Sequence, residues 1–72
     1  MTEAEMTVLM LLQASPESYF ARKEIARRAV RRQIYEDNPH WADAAIAGLL
    51  LQGAIEKNES GSCRIRKREL PQ

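Results

Sequence analysis

The sequence predicts a mostly helical α+β fold in which three helices are followed by a C-terminal β-hairpin. Apolar residues recur at helical spacing in three stretches before Gly53. Helix start and stop residues separate these stretches, and after Gly53 the pattern changes to two short strands around a polar break. Because 72 residues leave room for one hydrophobic core, we expect a single domain over residues 1–68 and a flexible tail over residues 69–72.

The first predicted helix covers residues 1–14. Thr2 and Glu5 have the spacing of a capping box, in which the two residues exchange side-chain and backbone hydrogen bonds. From Val8 onward apolar side chains nearly encircle the helix, which indicates burial on two sides. Two interpretations remain open: the helix lies at the centre of the core, or Val8 or Leu11 contacts another chain.

The second predicted helix begins at Arg22, after an aromatic segment at residues 18–20 that is suited to adding one rung to a small sheet. One arc of this helix is apolar, and the opposite arc carries the cations Lys23, Arg27, Arg28, Arg31 and Arg32. The state of residues 33–37 stays open, because Ile34 and Tyr35 can extend the helix by a turn or pack as an ordered connection.

The third predicted helix runs over residues 39–52. Asn38 is suited to accept the free amides of a first turn, and Pro39 at the first helical position loses no hydrogen bond. Gly53 ends the helix in the manner of a left-handed C-terminal cap. The predicted inward arc follows the helical period for three turns and consists of Trp41, Ala42, Ala45, Ile46, Leu49 and Leu50.

The predicted hairpin has strands at residues 54–58 and 62–67 with a polar break at residues 59–61. Successive side chains of a strand point to opposite faces. On the second strand Cys63 and Ile65 should therefore point toward the core, and the residues that should point toward solvent are Arg64, Arg66 and Arg68.

One cysteine, Cys63, and one histidine, His40, limit the chemistry available to this chain. A single cysteine excludes an intramolecular disulfide, and the two residues are far short of a structural zinc site. No spacing implies a catalytic triad around His40, and the isolated glycines form no phosphate loop. We expect no enzyme activity, no cofactor and no metal. The single cysteine and the lack of a zinc site predict a reduced, cytoplasmic protein. The short apolar runs also predict neither a membrane span nor a secretory signal.

The order helix, short strand, helix, helix, hairpin resembles the winged helix-turn-helix domain over nearly the whole chain. Residues 41–56 look like the family's third helix entering its wing, with Leu49, Gly53 and Ile55 at the family's Leu, Gly and Ile positions. Residues 23–26, Lys-Glu-Ile-Ala, resemble the start of the family's second helix, where Ile-Ala packs against the third. This resemblance implies a small nucleic-acid-binding domain.

One narrower similarity and two departures bear on the resemblance. The Trp41-Ala42 opening and the Gly-Ala-Ile-Glu exit at residues 53–56 are similar to winged-helix domains of Mrr-type restriction enzymes. The sequence departs from the family at residues 32–38, a connection longer than a tight helix-turn-helix turn. It also departs at Ala21, where a Ser or Thr would normally cap the second helix.

Charge is unevenly distributed: the net charge is −3 over residues 1–20, +5 over 21–35, −4 over 36–62 and +3 over 63–72. In a winged helix the second helix and the wing can both border a duplex, so the resemblance implies a regulator or accessory factor that contacts double-stranded DNA mainly through phosphates. The predicted contact residues are Lys23, Arg27, Arg28, Arg31, Arg32, His40, Arg64, Arg66, Lys67 and Arg68. The same charges also suit an ordinary solvated helix face.

The outward side of the third predicted helix has few groups that could read base edges. Direct readout uses Arg, Lys, Asn or Gln, whereas this side offers donors only at His40 and Gln52, and Asp43 would repel phosphate. Small residues on this side would let another helix approach closely. The alternative function is a protein-interaction or homodimerisation module that uses Ala44, Ala47, Gly48 and Leu51.

Overall fold

Four helices and one two-stranded antiparallel sheet make up the protein, in a computed structural model that describes residues 1–66. Their bounds are α1 Glu3–Ala14, α2 Arg22–Arg28, α3 Arg32–Asp37, α4 Asp43–Gln52, β1 Ile55–Lys57 and β2 Cys63–Ile65. The fold is mostly helical α+β, as predicted, but it has four helices where three were predicted. Lys67, Arg68 and the predicted tail at residues 69–72 lie outside the described residues.

Helix α1 lies against the core, and its predicted capping box is confirmed. The Thr2 hydroxyl accepts from the Glu5 amide, and the Glu5 carboxylate accepts from the Thr2 amide. Val8 and Leu12 are completely buried within the chain. The interpretation that Val8 contacts another chain is therefore wrong, because its side chain is already covered by its own core. Leu11 is half-buried and lines a groove between α1 and α2.

Helix α2 is shorter than predicted, because the chain turns after Arg28 and α3 begins at Arg32. In a continuous helix the Ala26 carbonyl would accept from the amide four residues later. Here it accepts from the Trp41 indole, at 2.9 Å between nitrogen and oxygen. Arg31 therefore does not extend α2, and the segment whose state the sequence left open forms a separate short helix.

Helix α4 begins at Asp43, so the prediction of a start at Pro39 was wrong. Asn38 ends α3 instead, with its amide donating to the Ile34 carbonyl at 3.1 Å. Residues 39–42 form a turn in which the Trp41 amide bonds the Asn38 carbonyl at 3.1 Å. The Asn-Pro pair marks a change of direction between two helices, and α4 starts without a side-chain cap.

The core lies where α1 packs against α4, α2 and β2, and where α4 packs against β1. The predicted inward arc of α4 is confirmed. Its buried members are Ala42, Ala45, Ile46 and Leu49. Its half-buried members, which pack against the core, are Trp41 and Leu50. Gly53 has φ 76°, the left-handed conformation that ends the helix as predicted.

The predicted hairpin and the predicted single rung are both confirmed. Strands β1 and β2 pair antiparallel with Ile55 opposite Ile65 and Lys57 opposite Cys63. Phe20 adds one rung on the other edge of β2, with hydrogen bonds of 2.7 and 2.8 Å to and from the Cys63 backbone. Cys63 is buried and Ile65 is half-buried against the core, as the strand alternation predicts.

Candidate nucleic-acid interface

A cleft of about 540 Å³ opens where the start of α2 faces α3 and the turn before α4. Its lining residues are Arg22, Lys23, Tyr35, Pro39, His40 and Asp43. Arg22 and Lys23 are exposed, and neither forms an ion pair with any residue between 1 and 66. This cleft, named here the first cleft, brings together two of the predicted contact residues, Lys23 and His40. It also contains Arg22, which the predicted set omitted although it belongs to the most basic segment.

A second cleft of about 490 Å³ adjoins the first and is lined by Arg27, Arg32, Tyr35 and Glu36. Arg32 forms an exposed ion pair with Glu36 at 3.5 Å, and Arg27 is paired with Glu24 on its own helix. Tyr35 lines both clefts, so the two clefts meet at this residue. The second cleft brings together two further predicted cations that the sequence had placed on one long helix.

The remaining cations of this region point elsewhere. Arg28 pairs with Glu24 at 2.7 Å, lies 5.7 Å from the centre of the Phe20 ring, and lines the groove between α1 and α2. Arg31 is exposed at the N-cap of α3. The predicted single cationic face of the second helix is therefore divided, with Lys23 and Arg27 on the side of α3 and Arg28 on the side of α1.

Arg64 on β2 is held by a contact network of its own. Its Nε donates to Glu56 Oε2 at 2.9 Å, and its guanidinium lies 4.6 Å from the centre of the Tyr19 ring. The Tyr19 hydroxyl donates to the same Glu56 oxygen at 3.2 Å. The bond from Arg64 is the main reason that the pKa of Glu56 is lowered, and it likewise raises the pKa of Arg64. This arginine joins the segment before α2 to the hairpin.

Arg66 lies at the opposite end of α4 from the first cleft. Its amide donates to the Ala54 carbonyl at 3.1 Å, and its guanidinium is 3.3 Å from the place where a Cβ on Gly53 would stand. Ten residues of helix separate Gly53 from the start of α4, which corresponds to about 15 Å. The structure thus does not bring Arg66 together with Lys23 and His40. Lys67 and Arg68 lie outside the described residues.

Lys57 is a cation that the predicted set missed. Burial raises the pKa of the Cys63 thiol, and the nearby charges of Arg22 and Lys57 act in the opposite direction. Both cations therefore lie near Cys63, which is the residue opposite Lys57 in the sheet. The sequence feature that could have drawn attention to Lys57 is that it is the one Lys or Arg in the acidic stretch 36–62.

Three of the four predicted interface residues lie on the exposed side of α4. Ala44, Ala47 and Leu51 are exposed, with Leu51 at 91% of its full accessible area. Gly48 differs from the prediction because it is half-buried and faces α1. A Cβ at Gly48 would collide with the Glu5 carboxylate, whose Oε2 accepts from the Gln52 amide group at 3.1 Å.

His40 and Asp43 both line the first cleft, where His40 Nδ1 lies 3.3 Å from Asp43 Oδ2. Among the residues that the structure describes, no group of three or more His, Cys, Asp or Glu side chains could hold a metal ion. No helix within residues 1–66 has the length and apolar composition needed to cross a membrane. Comparison with protein-family models, curated proteins and solved structures finds no match for the chain.

Proposed function

We propose that this protein is a small cytoplasmic winged-helix protein that binds nucleic acid mainly through backbone phosphates, duplex DNA included. The observation that carries the proposal is the first cleft, where Arg22 and Lys23 stand together without a carboxylate partner among residues 1–66. Guanidinium and ammonium groups are the usual donors to phosphate oxygens. A role as a transcriptional regulator or accessory factor belongs to the same proposal.

The order of elements supports the winged-helix part of the proposal. Helix, single rung, helix, helix and hairpin follow one another as in that family, and the single rung joins Phe20 to the hairpin. Helix α3 is an addition to that order, and it occupies the connection at residues 32–38, which is longer than a tight helix-turn-helix turn. This added helix supplies Tyr35 and Arg32 to the clefts.

The ion pairs of Arg27, Arg28 and Arg32 are compatible with phosphate binding. Exposed pairs contribute about 0–1 kcal/mol, so a phosphate can replace the carboxylate at little cost. Glu24 serves two arginines at once, which leaves positive charge in excess on α2. A surface of this kind binds with an affinity that falls steeply as salt rises.

The exposed side of α4 favours phosphate contacts over base recognition. Ala44, Ala47 and Leu51 have no side-chain hydrogen-bonding group, whereas readout of base edges in the major groove needs such groups. We therefore expect weak sequence preference. Affinity for generic duplex DNA should be micromolar at low salt, in the range of non-specific binding.

The double variant Arg22→Gln, Lys23→Gln tests this proposal. We expect it to lose about tenfold in affinity for a labelled generic duplex at about 50 mM salt, and to lower the slope of log affinity against log salt by about 2, because two phosphate contacts are removed. The control is Arg31→Gln, Arg66→Gln, which removes the same charge from exposed positions outside both clefts. The measurement is fluorescence anisotropy over a salt series.

Two outcomes would contradict the proposal. The first is that the unmodified protein binds neither duplex nor single-stranded oligonucleotides at low salt. The second is that the two double variants lose the same affinity, because the effect would then follow net charge and not the first cleft. Thermal unfolding of each variant ensures that the comparison is made between folded proteins.

A second candidate function is homodimerisation through α4. The specific observation is that Leu51 is 91% exposed and is flanked on the same side by Ala44 and Ala47. Small residues allow two helices to approach closely, and an exposed leucine loses contact with water on association. A second copy of the chain placed against this side would cover all three residues.

Sedimentation of the Ala47→Glu variant tests the second candidate. If α4 forms the contact, the parent sediments as a dimer and Ala47→Glu as a monomer, because a carboxylate would be buried without a partner. Gln13→Glu on α1, also exposed, adds the same charge away from α4 and should remain dimeric. A parent that sediments as a monomer at every concentration would rule out this self-association.

A further inference from the structure

Tyr35 is shared by two cationic clefts, because it lines both of them. We infer that this surface takes single-stranded nucleic acid, with one base stacked on Tyr35 and neighbouring phosphates in the two clefts. The inference rests on the proposed function and narrows its ligand, because binding through phosphates alone would not distinguish a single strand from a duplex.

Tyr35 has the placement that a stacking platform needs. It lies within α3, is half-buried, and packs against the core. Packing against the core restricts this side chain, and its remaining exposure leaves part of it accessible at the clefts that it lines. A restricted side chain loses little conformational freedom when a base stacks on it, and base–aromatic stacking is tolerant of base identity.

Each cleft carries two permanent cations and one acid. In the first cleft the acid is Asp43, which contacts His40 at 3.3 Å and leaves Arg22 and Lys23 without partners among residues 1–66. In the second cleft the acid is Glu36, which pairs with Arg32 at 3.5 Å. Arg27 pairs with Glu24 on its own helix, α2. The lining residues of each cleft have a net positive charge, and in the second cleft Glu24 does not cancel it because that carboxylate is shared by Arg27 and Arg28. This charge suits one phosphate in each cleft.

Other parts of the surface are less suited to a duplex. A base can present its face to Tyr35 only when it is unpaired and unstacked, as in a single strand. The exposed side of α4 offers Ala44 and Ala47 where a major groove would need hydrogen-bonding groups. The hairpin turn at residues 58–62 carries Glu59 and no cation, whereas minor grooves attract Arg, Lys or His.

The test compares Tyr35→Leu with the parent on three probes: oligothymidine, oligouridine and a generic duplex. We expect about tenfold weaker binding of both single-stranded probes and a change of less than about twofold for the duplex, because only an unpaired base loses its stacking partner. Tyr35→Phe keeps the ring and should bind like the parent. Ile34→Ala, at the exposed neighbouring position of α3, is the matched control and should also bind like the parent.

A second measurement uses the unmodified protein and so does not depend on the folding of a variant. Stacking should move the ring-proton signals of Tyr35 upfield on addition of oligothymidine and leave them in place on addition of duplex. Equal loss of affinity on all three probes, or no loss, would overturn the stacking inference while phosphate binding stood. Ring signals that do not move with oligothymidine would overturn it as well. Absence of binding to every probe would instead defeat the proposed function.

Discussion

Replacing Leu49 by alanine should lower the free energy of unfolding by about 2–5 kcal/mol, the range for a large aliphatic side chain removed from a core. Leu49 is completely buried and lies at the centre of the inward arc of α4. Total stability is about 0.05–0.15 kcal/mol per residue, so this loss is a large part of what so small a domain has. We expect a substantially unfolded population at room temperature, measured by circular dichroism with denaturant.

The control is Leu51→Ala, the same substitution two residues further along the same helix. Leu51 is 91% exposed, so the change should stay within about 0.5 kcal/mol of the parent. The comparison removes helix propensity from the result, because both variants exchange Leu for Ala in α4. If Leu49→Ala unfolded at the same denaturant concentration as the parent, the assignment of the inward face of α4 would be wrong.

Replacing Ile25 by alanine should also cost about 2–5 kcal/mol, because Ile25 on α2 is completely buried in the same core. The matched change Ile34→Ala on α3 should cost less than about 1 kcal/mol, because Ile34 is 49% exposed. The two variants together distinguish the contribution of α2 from that of the short helix that follows it.

Chemical denaturation monitored through Trp41 is the measurement for this pair, since the Trp41 indole is bonded to α2 through the Ala26 carbonyl. Equal destabilisation by the two changes would show that α3 is part of the core to the same degree as α2. That result would also contradict the role of Tyr35 as a partly exposed stacking surface, because α3 would then be packed into the core as deeply as α2.

Features with a local cause could be predicted from the sequence. The capping box of Thr2 and Glu5 needs only a spacing of three residues, and Gly53 ends α4 because glycine adopts positive φ without steric cost. The inward arc of α4 follows from helical periodicity, and the hairpin follows from alternation around a polar break. Each of these depends on residues close together in the chain.

Features caused by distant residues could not be predicted. Helix α2 ends early where Trp41, fifteen residues away, bonds the Ala26 carbonyl. Gly48 faces α1 because the carboxylate of Glu5 occupies the space beside it. Asn38 ends α3 instead of starting α4. An asparagine is found both before the first turn and after the last turn of helices, so its presence does not distinguish a helix start from a helix end.

The candidate site likewise has features that the sequence predicts and features that depend on tertiary contacts. The charge of the segment 21–35 located the cations in the sequence, but it did not show that α2 turns Arg28 toward α1 and Lys23 toward α3. The sequence did not predict the structure of the segment that contains Tyr35, and the position of this residue at both clefts depends on α3 forming as a separate helix.

By itself the sequence determined the mostly helical α+β class, the C-terminal ends of α1 and α4, the hairpin, and the concentration of positive charge in two segments. These features depend on hydrogen bonds and side-chain periodicity within a few residues, so composition and spacing are enough to specify them. Only the tertiary structure decided where α2 ends, which cations share a cleft, and that Glu5 of α1 covers Gly48. These features depend on contacts between residues far apart in the chain. The order of residues in a sequence does not by itself give the spatial distance between such residues.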